Sequence, residues 1–149
     1  MKRLVLGAFL LAGCAGGSDE TLVFTIEQAL ATSPNGAVLG RSVSGGWDRM
    51  CIFRPNTAPA VIDSVIGRPW REAESDFSAD DAHTLLVFAT GERVDRWVLY
   101  PRAKGDFTPP EGRHCVARDD AVFQVRQPID GSIPWVGPVN AGAPDENGG

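Results

Sequence analysis

Lys2 and Arg3, an apolar run from Leu4 to Leu11, and the closing residues Leu11-Ala12-Gly13-Cys14 constrain this chain more than any other feature. Charge, a short apolar segment and small residues, in that order, read as a secretory signal: the charges stay behind while the apolar part enters the translocon. A membrane-spanning helix needs about 20 apolar residues, so the run is too short to serve as one. The chain beyond Cys14 is expected to fold after export, where cysteines oxidise and a modest core can be supported by a disulfide.

Leu11-Ala12-Gly13-Cys14 resembles the lipobox of bacterial lipoproteins. The resemblance implies that Cys14 carries acyl chains, palmitate among them, and that residues 1–13 are cut away as a signal peptide. By resemblance to enterobacterial sorting, Ala15 in place of Asp beside the lipidated cysteine implies the outer membrane, with the domain facing the periplasm. Acyl chains supply about 0.8 kcal/mol of membrane affinity per buried methylene, so the polypeptide itself needs no spanning segment. Residues 14–20, small and polar, are expected to form a flexible lipidated leash.

With Cys14 assigned to lipid by that resemblance, Cys51 and Cys115 are the remaining pair and are expected to form a disulfide. No Cys-x-x-Cys occurs, which favours a structural bridge over a redox pair. Too few Cys and His stand at suitable spacing for a zinc site. Loss of residues 1–13 removes two of the 14 basic residues and none of the 19 acidic ones, leaving a formal charge of −7. That balance argues against nucleic acid as a partner and against a polybasic membrane patch.

Residues 21–127 have the length of one domain. Thr25-Ile26-Glu27-Gln28 has the form of a capping box and predicts a short helix to about Ala31. Trp47 to Phe53 reads as a strand, with Trp47, Cys51 and Phe53 on one face and Met50 and Ile52 on the other. Thr57-Ala58-Pro59 predicts a helix capped by Thr57, with Val61, Ile62, Val65 and Ile66 as its apolar stripe and Gly67 as its stop. Thr84 to Ala89 is the most hydrophobic strand, and Thr90-Gly91-Glu92 turns it into Arg93 to Tyr100. In that second strand Val94, Val98 and Tyr100 are expected opposite Asp95, Trp97 and Leu99. Pro101 to Arg113 reads as a long loop and Val116 to Gln127 as a final strand around Ala121 to Val125. The Pro/Gly-rich tail, residues 128–149, is expected to be disordered, which leaves Trp135 without a core to join.

The order strand, helix, strand, strand, strand predicts an α+β domain: a small antiparallel sheet of about four strands with one or two short helices packed on one face. The helix ending Ile66-Gly67-Arg68-Pro69, followed by a hairpin, is similar to the pattern of the small lipoprotein in the outer-membrane barrel-assembly machine. The chain departs from that family by a strand at Trp47 to Phe53 where the family has helix. Trp47 to Phe53 with Pro55, then Leu86-Val87-Phe88, then Pro101-Arg102, Lys104-Gly105-Asp106-Phe107 resemble a group of small, uncharacterised proteobacterial proteins, and that likeness implies no activity.

No Gly-x-Ser-x-Gly elbow is present, and no nucleophile stands beside His83 or His114 in a recognisable triad. Asp80-Asp81-Ala82-His83 reads as a solvated acidic loop in preference to a metal site. No catalytic residue, metal or cofactor is assigned. Arg and aromatic residues are favoured at interfaces, and Trp97, Arg102, Lys104 and Phe107 are the candidate binding surface. The favoured reading is a non-catalytic envelope lipoprotein, anchored through Cys14, that binds or helps assemble another envelope protein. Two alternatives stay open: a periplasmic hydrolase inhibitor using a loop at Tyr100 to Cys115, and a metal-assisted hydrolase using His83 and His114.

Overall fold

The computed structural model describes residues 18–73, 77 and 80–139. The expected leader, the expected acylation at Cys14 and residues 140–149 of the tail lie outside the described residues.

Helix α1 spans Glu20–Thr32, and its buried residues Leu22, Ile26 and Leu30 recur every four positions, so one stripe faces inward. It begins before the expected capping box. Asp19 is the cap, its carboxylate accepting the Leu22 N–H at 3.2 Å, and Glu20 adds negative charge to the first turn. Starting at Thr25 would leave Leu22 outside the core, so burial overrides the local motif; the Thr25 hydroxyl donates instead to the Thr21 carbonyl. Asp19 and Glu20, expected in a leash, therefore belong to the domain.

The remaining elements are β1 (Ala37–Val38), α2 (Leu39–Ser42), β2 (Arg49–Phe53), α3 (Pro59–Ile66), β3 (His83–Thr90) and β4 (Arg93–Pro101). A 3-10 turn at Arg102–Lys104 precedes β5 (Asp106–Phe107) and β6 (Cys115–Ala117), and a second, Arg118–Asp120, precedes β7 (Val122–Arg126) and β8 (Trp135–Pro138). The α+β class holds, but the sheet is doubled. One sheet runs β4-β3-β2-β6 and the other β1-β7-β8-β5. The first is antiparallel throughout, with the hydrophobic β3 in its interior; in the second, β5 joins β8 in parallel.

Both faces of the first sheet are buried. Met50, Ile52, Leu86, Phe88, Val98 and Tyr100 face α1 and the second sheet across the main core, where they meet Leu22, Leu39, Phe107, Phe123 and Val136. Cys51, Phe53, Leu85, Val87 and Trp97 face the other way, under Ile62 and Ile66 of α3 and under Trp70 and Phe77. The helices thus cover opposite faces, where one covered face was expected. Alternating apolar residues on both faces of β2 and β3 demand two covers.

Helix α3 is capped by Ala58 without a side-chain bond, while the Thr57 hydroxyl donates to the Arg54 carbonyl at 2.6 Å. Its end is as expected, with Gly67 left-handed at φ 96°. Two side chains change face relative to the alternation. Trp47 joins the Met50 and Ile52 side because the strand starts only at Arg49, and its indole N–H donates to the Val43 carbonyl at 3.0 Å. Val94 joins the Trp97 and Leu99 side because Phe88 pairs with Arg96 while Ala89 pairs with Val94, leaving Asp95 as an extra residue in a bulge. Cys51 and Cys115 stand opposite each other in the β2–β6 ladder and are disulfide-bonded, as expected.

The domain runs beyond residue 127. Trp135–Pro138 lies between β7 and β5 as a strand, with Val136 fully buried. Phe107 and Phe123 give Val136 an apolar site, and β7 gives it a ladder to complete, which outweighs the Pro/Gly composition around it.

Candidate functional site

The four candidate surface residues do not converge. Trp97 is 8% exposed and meets the Trp70 ring edge-on at 5.8 Å. Phe107 is fully buried between Tyr100 and Phe123, at centroid distances of 5.1 and 5.4 Å. Arg102 holds Asp106 through two bonds of 3.1 and 3.0 Å and donates to the Asp81 carbonyl at 2.9 Å. Bonding to the Asp106 carboxylate raises the Arg102 pKa above its ordinary value. Lys104 pairs with Glu27 of α1 at 2.7 Å. Two of the four are core, and two brace the 3-10 turn at residues 102–104.

The histidines have separate surroundings. The His83 ring contacts the Asp80 carboxylate, while the His114 ring stacks on Phe53 at 5.4 Å with Nδ1 3.4 Å from the Ile52 carbonyl. Among the described residues no three His, Cys, Asp or Glu side chains are grouped to hold a metal ion. No helix among them is long and apolar enough to cross a membrane.

A cleft that sequence reasoning missed lies between the two sheets. Helix α1 packs on β4 and β1 at one side of the two sheets. At the β6 side lies a cleft of about 920 Å³, walled by Val116 and Ala117, by the Thr108–Arg113 loop, and by Val122, Trp135, Pro138 and Val139 of the second sheet. Its charged lining comprises Asp106, Glu111, Asp119 and Asp120 against Arg54 and Arg113, so carboxylates outnumber guanidiniums. Arg54 and Asp106 lie 3.8 Å apart. The Trp135 indole N–H is buried without an acceptor among the described residues.

Strand β6 is the edge of its sheet on this side. Ile52 N–H donates to the His114 carbonyl and Arg118 N–H to the Asp48 carbonyl, which sets the inward-facing groups of the β2–β6 ladder at His114, Val116 and Arg118. Cys51 and Cys115 form a non-hydrogen-bonded pair with Cα atoms only 4.0 Å apart. The N–H groups of Cys115 and Ala117 and the Cys115 C=O therefore point away from β2 without a hydrogen-bond partner among the described residues, while the Ala117 C=O caps the 3-10 turn Arg118–Asp120. Pro109 and Pro110 in the facing loop have no N–H to offer a ladder.

Arg118 holds this edge in place. Its guanidinium donates to the carbonyls of Gly40, Gly45, Trp47 and Val43 at 2.9, 2.7, 3.0 and 3.3 Å, and lies 4.5 Å from the Trp47 ring centroid. A planar fork with five donors can satisfy several carbonyls at once, which an ammonium cannot. Neither the edge nor this clamp has a local sequence motif, since each is defined by strand order and by contacts some 70 residues apart in the chain. Compared with protein-family models, with curated proteins and with solved structures, the chain matches none.

Proposed function

We propose that the chain is an envelope lipoprotein, acylated at Cys14, whose domain is a non-catalytic module that binds another envelope protein in the cleft beside β6. The observation that carries this reading is the cleft itself, large enough to receive a polypeptide segment and bordered by an unpaired strand edge. Its walls carry prolines, an indole and opposed charges, a mixture suited to recognition.

The start of the domain supports a short tether. Leu99 N–H donates to the Ser18 hydroxyl at 3.0 Å, Asp19 N–H donates to the Trp97 carbonyl at 3.4 Å, and the Arg96 guanidinium holds Asp19 at 2.6 Å. Ser18 is thus laced to the free edge of β4. Four residue steps from Ser18 back to Cys14 reach at most about 14 Å, so an acylated Cys14 keeps the domain close to its membrane. The inhibitor alternative needs a protruding loop, but Phe107 is core and Arg102 is tied back to Asp81 within that stretch.

The test is intact-mass analysis of protein extracted from membranes, with gentle crosslinking in cells beforehand, for wild type and Cys14→Ser. The expected result is an acylated mass starting at Cys14 and one envelope protein crosslinked through the cleft. An unmodified mass starting elsewhere overturns the anchor; crosslinks that avoid residues 106–120 overturn the cleft.

A further inference from the structure

We infer that the ligand of this cleft is an extended, lysine- or arginine-bearing peptide segment that adds to β6 as a fifth strand of its sheet. The inference rests on the binding-module reading and names the partner's chemistry. Three observations carry it.

First, Cys115 and Ala117 present two N–H groups, and Cys115 its C=O, outward along an edge that is unpaired among the described residues. Backbone groups of this kind template the addition of a strand, and β-strand addition draws its affinity from the same ladder bonds as a sheet. Second, the edge opens on space. The cleft provides about 920 Å³ between β6 and the second sheet, where a strand laid on β6 would have Trp135, Pro138 and Val139 against one of its faces. Third, the charge has a sign. Glu111 lies before β6, and Asp119 and Asp120 come after it, so carboxylates flank both ends of the edge. Arg54 faces Asp106 within the cleft, leaving those three carboxylates against Arg113. An incoming strand with basic residues is attracted, while an acidic one is repelled.

The backbone at Ala117 permits a sharp test. Its φ is −63°, the value proline imposes, and its N–H is the outward one, so Ala117→Pro removes an edge donor and places a ring on the edge without touching the β2–β6 ladder. Val116 before it is already extended, as a residue preceding proline must be. The edge is blocked while the fold is retained.

The probe is a fluorescein-labelled heptapeptide, Lys-Thr-Val-Lys-Val-Thr-Lys, titrated by anisotropy against the exported, detergent-solubilised protein. Its controls are the counterpart with Glu for Lys and a version N-methylated at alternate residues. The Lys peptide is expected to bind and to slow hydrogen exchange at the Cys115 and Ala117 amides. Ala117→Pro is expected to weaken binding by about tenfold, as is N-methylation, through lost ladder bonds. Asp119→Asn with Asp120→Asn keeps the edge and weakens only the Lys peptide.

Equal binding of the Glu peptide, equal binding to Ala117→Pro, or no binding at millimolar peptide overturns the inference. So does exchange protection of those two amides in the free protein, which would mean that residues 140–149 or another part of the chain already occupies the edge. Unchanged thermal unfolding of Ala117→Pro guards against a folding artefact. The broader binding reading fails separately, when crosslinking in cells returns no cleft partner while the peptide still binds.

Discussion

Arg118→Ala should be the most damaging single substitution outside the hydrophobic core. The wild-type guanidinium satisfies four carbonyls from the Gly40–Trp47 segment and covers the Trp47 ring. The Gly45 carbonyl is exposed and rehydrates at little cost. The Val43 carbonyl keeps its bond from the Trp47 indole; those of Gly40 and Trp47 are bonded in part-buried surroundings, and leaving each unmet costs about 1 kcal/mol. Loss of the cation–π contact adds about 0.5 kcal/mol. The total, about 2.5 kcal/mol, lowers the midpoint of thermal unfolding by about 7–11 °C for a domain of this size. Calorimetry and near-ultraviolet circular dichroism under oxidising conditions read both the shift and the environment of Trp47. Arg118→Lys should recover only about a third of the loss, because an ammonium cannot span the same carbonyls. A loss under about 1 kcal/mol for the alanine variant, or full recovery by lysine, would refute the claim that the planar fork organises this segment.

The remaining predictions concern the bridge, the first helix cap and a buried phenol. Replacing Cys51 and Cys115 together by Ala releases a loop spanning 64 positions, which should cost about 4 kcal/mol on the chain-entropy model and be read as a lower urea midpoint. At Asp19, burial disfavours the charge, but the hydrogen bonds from Arg96 and from Leu22 N–H outweigh it and hold the pKa below its ordinary 3.8. A depressed carboxylate stabilises the fold above its unfolded pKa and loses that contribution as pH falls through the folded value. Asp19→Ala should therefore cost about 1 kcal/mol at pH 7, with the gap to wild type closing in strongly acidic buffer; a gap that persists there counts against the charge. Burial pushes the Tyr100 phenol well above its ordinary pKa, and its hydroxyl finds no acceptor or donor among the described residues. Tyr100→Phe should then raise stability by about 1 kcal/mol, whereas a loss on denaturant unfolding would mean that the hydroxyl is bonded.

Local chemistry was enough to predict several parts of this protein. Gly67 ends α3 because a left-handed residue is needed there and Pro69 forbids continuation. The run Thr84 to Ala89 is an interior strand because it is apolar on both faces, and Thr90-Gly91-Glu92 makes the hairpin. Cysteine arithmetic supplied the Cys51–Cys115 bridge once Cys14 was set aside. Each of these rests on neighbours in sequence or on a count.

Tertiary structure decided the rest. The strands β1, β5 and β8, two to four residues long, are too short to carry a period and exist because the second sheet pairs them. The faces of Trp47 and Val94 depend on where a strand begins and where a bulge falls, which a two-residue alternation does not encode. Trp97 and Phe107 are aromatic residues that either a surface or a core could use, and only the second layer covering them makes them core. The sequence by itself determined an acidic composition and an α+β pattern; the β6 edge and its cleft arise from strand order, because an edge is a property of which neighbour is missing.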